Sequence, residues 1–151
     1  MALIQNLLNE EQIEILKDYW KRNTDIIKWQ DKHDNLYSLE MLYGKKSDED
    51  YNKVLSIFDD VAKRHIQKHY LLNYIENSFT RIHPDATGNQ TFVTLIESNN
   101  LLGGQTLIRN DQRCIDVVDL EVGQTLVYDH NCHHGVARVQ QGNRKVFVAW
   151  Y

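Results

Sequence analysis

The chain has 151 residues, 42% of them apolar and 25% charged, which is enough to bury a core without disulfides and is ordinary for a water-soluble fold. No apolar run reaches the roughly 18 residues that a membrane span needs, and a net charge of −4 argues against nucleic acid as a partner. The opening MALIQNLLNEEQ lacks a basic flank and a long apolar stretch, so no signal peptide is read; Cys114 and Cys132 are expected as free thiols in a reducing, cytoplasmic setting.

Taken in chain order, Asn9 is placed to cap a helix whose apolar positions Ile13, Leu16, Tyr19 and Trp20 recur at helical spacing. NLYSLEMLY at 35–43 reads as a strand. Ser47 with Asp50 signals a second helix start, followed by Val54, Ile57, Phe58, Val61 and Ile66, and the basic run KRHIQKH at 63–69 reads as its solvated face. From about residue 70 the period falls to two, and YIENSFTRIH, QTFVTLIE, GGQTLIRN, RCIDVVDL, QTLVYDH, HGVARVQ and RKVFVAW are punctuated by Gly, Asn or Asp. The pattern predicts a mainly β (α+β) chain: a β-sandwich or jelly roll with N-terminal helices packed on one outer sheet face. A single domain over 1–151 is expected, with helical support at about 1–69 and a β core at about 70–151.

Two clusters carry chemistry. In RIHPDATG, His83 and Asp85 are two residues apart, so an extended backbone sends both side chains from one face, and the proline between them favours that conformation. YDHNCHHGV crowds His130, His133 and His134 together; His134 is selected as the partner ligand because it directly precedes Gly135, which leaves room for backbone beside a metal, while His130 and His133 lie on the polar lead-in. Two imidazoles and a carboxylate on one face of an octahedron leave positions for a bidentate co-substrate and dioxygen, the arrangement of non-haem Fe(II) oxygenases. Ten residues on, across QQGN, Arg144 is suited to a distal carboxylate, since a guanidinium stays charged and binds both oxygens. His134, Val136, Arg144, Val146, Val148 and Trp150 are all even-numbered; an odd loop such as Gln141-Gly142-Asn143 would keep them on one inward face, whereas an even loop without a bulge would turn Arg144 away.

With HPD at 83–85, GGQT at 103–106, EVGQTLVY at 121–128, HGV at 134–136, GNR at 142–144 and the closing AWY, the chain from about residue 70 resembles the Fe(II)- and 2-oxoglutarate-dependent oxygenases, in their prolyl 4-hydroxylase-like branch. The resemblance implies a double-stranded β-helix (jelly roll, cupin-like), with iron on His83, Asp85 and His134 and the C5 carboxylate of 2-oxoglutarate on Arg144. It implies O2 as the other co-substrate, ascorbate as a candidate accessory, and a prolyl residue in a peptide or protein as substrate. Tyr74 is the nearest match to a tyrosine that the family places before H-x-D, and Trp150 matches a tryptophan on the substrate side. GGQT is read as a tight strand entry. Two departures touch the substrate: Thr91 stands where prolyl enzymes carry an arginine, and Ser98 where they carry a tyrosine. The same chemistry on a free amino acid or other small molecule, and a jelly-roll binding module without turnover, are the alternatives. A nucleobase demethylase is disfavoured by the acidic chain and by the lack of a second downstream arginine, and structural zinc by the shortage of Cys and His for a closed shell.

Overall fold

The computed structural model describes residues 2–31, 35–85 and 88–151. Helix α1 (Glu10–Arg22) starts at Asn9, whose side chain accepts from the Gln12 amide while the Gln12 side chain accepts from the Asn9 amide, a reciprocal cap that satisfies two orphan donors. Helix α2 (Glu49–Ala62) is capped one residue later than the sequence suggests, by Asp48 rather than Ser47. Asp48 serves twice: Oδ1 accepts from the Tyr51 amide at 3.1 Å, and Oδ2 from Arg22 at 2.7 Å, tying the end of α1 to the start of α2. Lys63 adopts a left-handed conformation and ends the helix at Ala62, so the basic run at 63–69 is not a helix face; it is a connection that enters a strand at Lys68.

Eleven strands form one antiparallel sheet among the described residues. They are β1 (Ala2–Asn6), β2 (Lys28–Asp31), β3 (Tyr37–Tyr43), β4 (Lys68–Tyr74), β5 (Phe79–His83), β6 (Gln90–Gly103), β7 (Thr106–Arg109), β8 (Ile115–Val118), β9 (Gln124–Asp129), β10 (His134–Val136) and β11 (Val139–Trp150). Along the order β1-β9-β6-β11-β4-β3-β5-β10-β7-β8 the sheet curls over, because β3 pairs first with β4 and then, at Tyr37 and Ser38, with β5. The N-terminal third thus contributes three strands as well as two helices, and YIENSFTRIH is divided between the end of β4 and all of β5.

Residue parity along β11 sorts the two layers. Phe147, Ala149 and Tyr151 face the helices and pack with Tyr19, Tyr51 and Phe58, whereas Val146 and Val148 face the interior of the curl with Leu72 and Leu95. Phe58 is fully buried, with ring centroids 5.0 Å from Phe147 and 5.9 Å from Phe92; burial of one such side chain contributes about 1.5–3 kcal/mol. QQGN makes no hairpin turn. It lies within the continuous strand β11, which bulges against β6 around Gln141 and Asn143, with Gly142 at φ 76°. The chemistry that permits a turn also permits a bulge, and the bulge leaves the predicted even-numbered residues on the inner face.

Candidate functional site

The interior of the curl holds a cavity of about 580 Å³. Its floor is read directly from the strand pairing, because directly opposed residues of antiparallel strands share a face. One row crosses four strands as Tyr128 (β9), Thr91 (β6), Trp150 (β11) and Lys68 (β4), the next as Leu126, Val93, Val148, Tyr70 and Tyr43, and Arg144 stands opposite Tyr74 further along β11.

His83 and His134 are opposed across β5 and β10, and with Asp85 they form a cluster whose candidate ligand atoms all lie within 4.8 Å of one another. Backbone carbonyl groups hold both imidazole rings. Nδ1 of His83 lies 2.7 Å from the Arg81 carbonyl oxygen, and Nδ1 of His134 lies 2.9 Å from that of Cys132. A carbonyl can only accept, so each Nδ1 carries the hydrogen and each Nε2 keeps its lone pair for the cluster. Burial lowers the pKa of His134, which favours that neutral form. Asp85 is buried, with Oδ1 3.5 Å from His134 Nε2 and Oδ2 accepting a 2.8 Å hydrogen bond from the Thr91 hydroxyl. Tyr128 packs its ring on His134, centroids 4.4 Å apart, and closes the side facing β9.

Gly135 is required for a different reason than the sequence suggested. A Cβ there would meet the Thr80 carbonyl oxygen at 2.7 Å and the Ile82 amide at 3.0 Å, so the glycine admits the backbone of β5 and thereby brings His83 to His134. His130 is exposed and His133 half-buried, and neither belongs to the cluster.

Arg144 is 3% exposed and reaches into the same cavity. One arm, Nη2, donates to the Thr106 hydroxyl at 2.7 Å; the other, Nη1, is buried without a partner among the described residues. Burial lowers the guanidinium pKa, but arginine holds its proton, so the site contains a cation with an unused donor. Thr106 opposes Val136 and Ile108 opposes His134 across β7 and β10, so the level of the cation is one inward step, about 7 Å along the strand, from that of the histidine. Tyr74 lies under the guanidinium, ring centroid 5.3 Å from Cζ, and its hydroxyl bonds Thr80 at 2.9 Å.

The structure gives two side chains different surroundings from those expected. Thr91 shares the inner face with Tyr128 and Trp150, but it is covered there as the buried partner of Asp85 and is not itself part of the cavity lining. Thr106, read as part of a strand entry, is the direct partner of Arg144; a neutral hydroxyl gives no sequence signal, and only the β7–β10 register reveals its place. Trp150 lines the cavity wall next to Tyr70, ring centroids 6.5 Å apart.

No protein-family model matches the chain, and no curated protein is similar to it in sequence. Solved structures are similar in fold. A Pseudomonas putida prolyl-4-hydroxylase matches 99% of this chain and 90% of its own at TM-score 0.83 and 14% identity. A Trichoplax adhaerens prolyl hydroxylase, in complex with a hypoxia inducible factor oxygen degradation domain peptide fragment, matches 99% of this chain and 83% of its own at TM-score 0.81 and 14% identity. HygX from Streptomyces hygroscopicus, with nickel, 2-oxoglutarate and hygromycin B bound, matches 98% of this chain and 81% of its own at TM-score 0.75 and 8% identity. The chain therefore has the double-stranded β-helix fold of the 2-oxoglutarate/Fe(II) oxygenases.

Proposed function

We propose that the protein is an Fe(II)- and 2-oxoglutarate-dependent dioxygenase of prolyl 4-hydroxylase-like type, acting as one domain over 1–151 in the cytoplasm and hydroxylating a C–H bond of a prolyl residue in a peptide or protein. The observation that carries this reading is that Arg144, buried with an Nη1 that has no partner among the described residues, lines the same cavity as the His83, Asp85 and His134 cluster. A buried cation short of one partner fits a carboxylate, and its level is set off from the cluster by a distance that a short dicarboxylate spans.

His83, Asp85 and His134 would hold the iron, and Arg144 with Thr106 would bind the distal carboxylate of 2-oxoglutarate. When bound, this pair supplies oxidation of the substrate C–H to C–OH by O2, with 2-oxoglutarate converted to succinate and CO2. The chain's own share is positioning: carbonyl oxygens of Arg81 and Cys132 fix both imidazole tautomers, Thr91 holds one oxygen of Asp85, and Tyr74 with apolar walls keeps water from Arg144. No acid or base beyond the cluster is called for.

The same chemistry on a small molecule is the second reading, supported by the absence at Thr91 and Ser98 of the side chains that prolyl enzymes carry. Succinate formation with Fe(II), 2-oxoglutarate and ascorbate, compared between proline-containing peptides and free amino acids, tests both. Peptide-stimulated succinate that is lost in His134→Ala supports the first reading, and stimulation by free amino acids alone supports the second. Succinate production that persists in His134→Ala would rule the site out.

A further inference from the structure

Charge in the cavity is sparse, and its placement bears on the substrate. Among the described residues, the side chains lining the cavity that carry a full charge are Asp85, Arg144 and Lys68. Under the reading above, on which this inference rests, Asp85 is committed to the metal and Arg144 to the co-substrate. Lys68 is the one left over. It is exposed, it makes no ion pair among the described residues, and its ammonium sits over the Trp150 ring, 5.1 Å from the centroid. Such a contact holds the head group at the wall but leaves its hydrogen bonds to solvent or to a ligand.

Register places this cation relative to the reacting end. Lys68 opposes Trp150, and Trp150 opposes Thr91, whose hydroxyl is bonded to Asp85. Two strand spacings separate the Cα atoms of Lys68 and Thr91, about 10 Å, and a lysine side chain covers much of that span. Between them lies an aromatic surface, Trp150 beside Tyr70, with Tyr43 in edge contact with Tyr70 at 6.4 Å. Arg144 opposes Tyr74, at the other end of β4 from Lys68, so the two cations cannot serve one short anion.

We propose that the substrate is anionic: it lays an apolar body on Trp150 and Tyr70 and pairs a carboxylate with Lys68, several bonds from the carbon that is oxidised. Among the described residues, a cationic substrate finds no free carboxylate on these walls. In a peptide the carboxylate would belong to an acidic residue beside the target; in a small molecule it would be the distal group.

Probes of one shape and different charge test this through tryptophan fluorescence, with no turnover required. Hydrocinnamate, hydrocinnamamide and phenylpropylamine share an apolar body, and acetyl-Pro-Asp-amide and acetyl-Pro-Asn-amide form a peptide pair. Each is titrated into the protein alone and with Zn(II) and 2-oxoglutarate, in wild type, Lys68→Gln, Lys68→Arg and Arg144→Met. The expected result is that the anionic member binds about tenfold or more tighter than its neutral partner, that Lys68→Gln removes the preference, and that Lys68→Arg and Arg144→Met keep it. A preference in the peptide pair puts the carboxylate on a residue beside the target, and a preference in the hydrocinnamate set alone puts it on a small molecule; both support the proposal. Equal binding of charged and neutral probes, no saturable binding, or a preference that survives Lys68→Gln overturns it. Failure of Zn(II) and 2-oxoglutarate to bind would instead remove the oxygenase reading, and the Lys68 comparison in the protein alone is read independently of it.

Discussion

Replacing Arg144 by methionine separates a co-substrate arginine from a structural one. In the free protein the guanidinium is buried, with one arm on Thr106 and Nη1 without a partner. An unsatisfied buried donor costs about 1–3 kcal/mol and more when charged, while the bond to Thr106 returns about 1.5–3 kcal/mol. The two nearly cancel, and methionine removes both while keeping an unbranched apolar stem against Tyr74. The free variant should therefore be within about 1 kcal/mol of wild type, a change in Tm of no more than about 4 °C at this chain length. Ligand response should differ far more. With Zn(II) present and 2-oxoglutarate at a hundredfold excess over its Kd, binding stabilises wild type by about 2.7 kcal/mol, which corresponds to about 5–11 °C, and leaves Arg144→Met unmoved. Differential scanning fluorimetry reads both quantities. A free variant that melts more than about 10 °C lower, yet still responds fully to 2-oxoglutarate, would refute the reasoning and make Arg144 a structural residue.

Three further outcomes follow from particular contacts. Thr91→Val keeps the shape but removes the donor to Asp85, so Mn(II) affinity by calorimetry should fall about 10- to 100-fold and recover in Thr91→Ser; equal affinity in all three would show that the hydroxyl does not orient the carboxylate. Gly135→Ala should part β10 from β5, costing metal binding together with several degrees of Tm, and an alanine variant with normal metal affinity would show that the backbones can separate without moving His134. Burial, reinforced by Lys46, lowers the pKa of His69 from its ordinary 6.5. The unfolded chain then takes up a proton that the folded one refuses, so the contribution of His69 is intact above about pH 6.5 and declines as pH falls below it. Chemical denaturation of His69→Gln should show a shallower loss of stability than wild type below that pH, and parallel curves would contradict the assignment.

How legible this protein is from sequence depends on which interactions carry each feature. Local rules gave α1, because Asn9, Gln12 and the Ile13, Leu16, Tyr19, Trp20 stripe are all within a few residues of one another. They also gave the even-numbered inner face of β11, since strand periodicity survives the bulge at Gln141 and Asn143. Edge strands were less legible: β1 buries none of its five residues fully, and β2 is held by β3 alone, so neither shows the alternation that a half-buried strand needs. The run at 63–69 continues the apolar spacing of α2 through Ile66, and only the left-handed Lys63 ends the helix. At the site, His83, Asp85, His134 and Arg144 were visible because their chemistry is distinctive. Thr91 and Thr106 were both singled out, but their roles were not visible, since a threonine acquires its role only from the side chain that the fold brings to its hydroxyl: Asp85 in one case and Arg144 in the other. Lys68 is a surface lysine by sequence, and only the row through Trp150 and Thr91 relates it to the cluster.

On the proposed function, His83, Asp85, His134 and Arg144 together hold a chelated Fe(II)–2-oxoglutarate pair. Anaerobic titration of the protein with Fe(II) and then 2-oxoglutarate, followed by visible absorption, tests it most directly. A weak charge-transfer band that needs both components is expected, disappearing in His134→Ala and forming in Arg144→Met only at much higher 2-oxoglutarate. Absence of the band with both components present, or a band indifferent to His134, would contradict it.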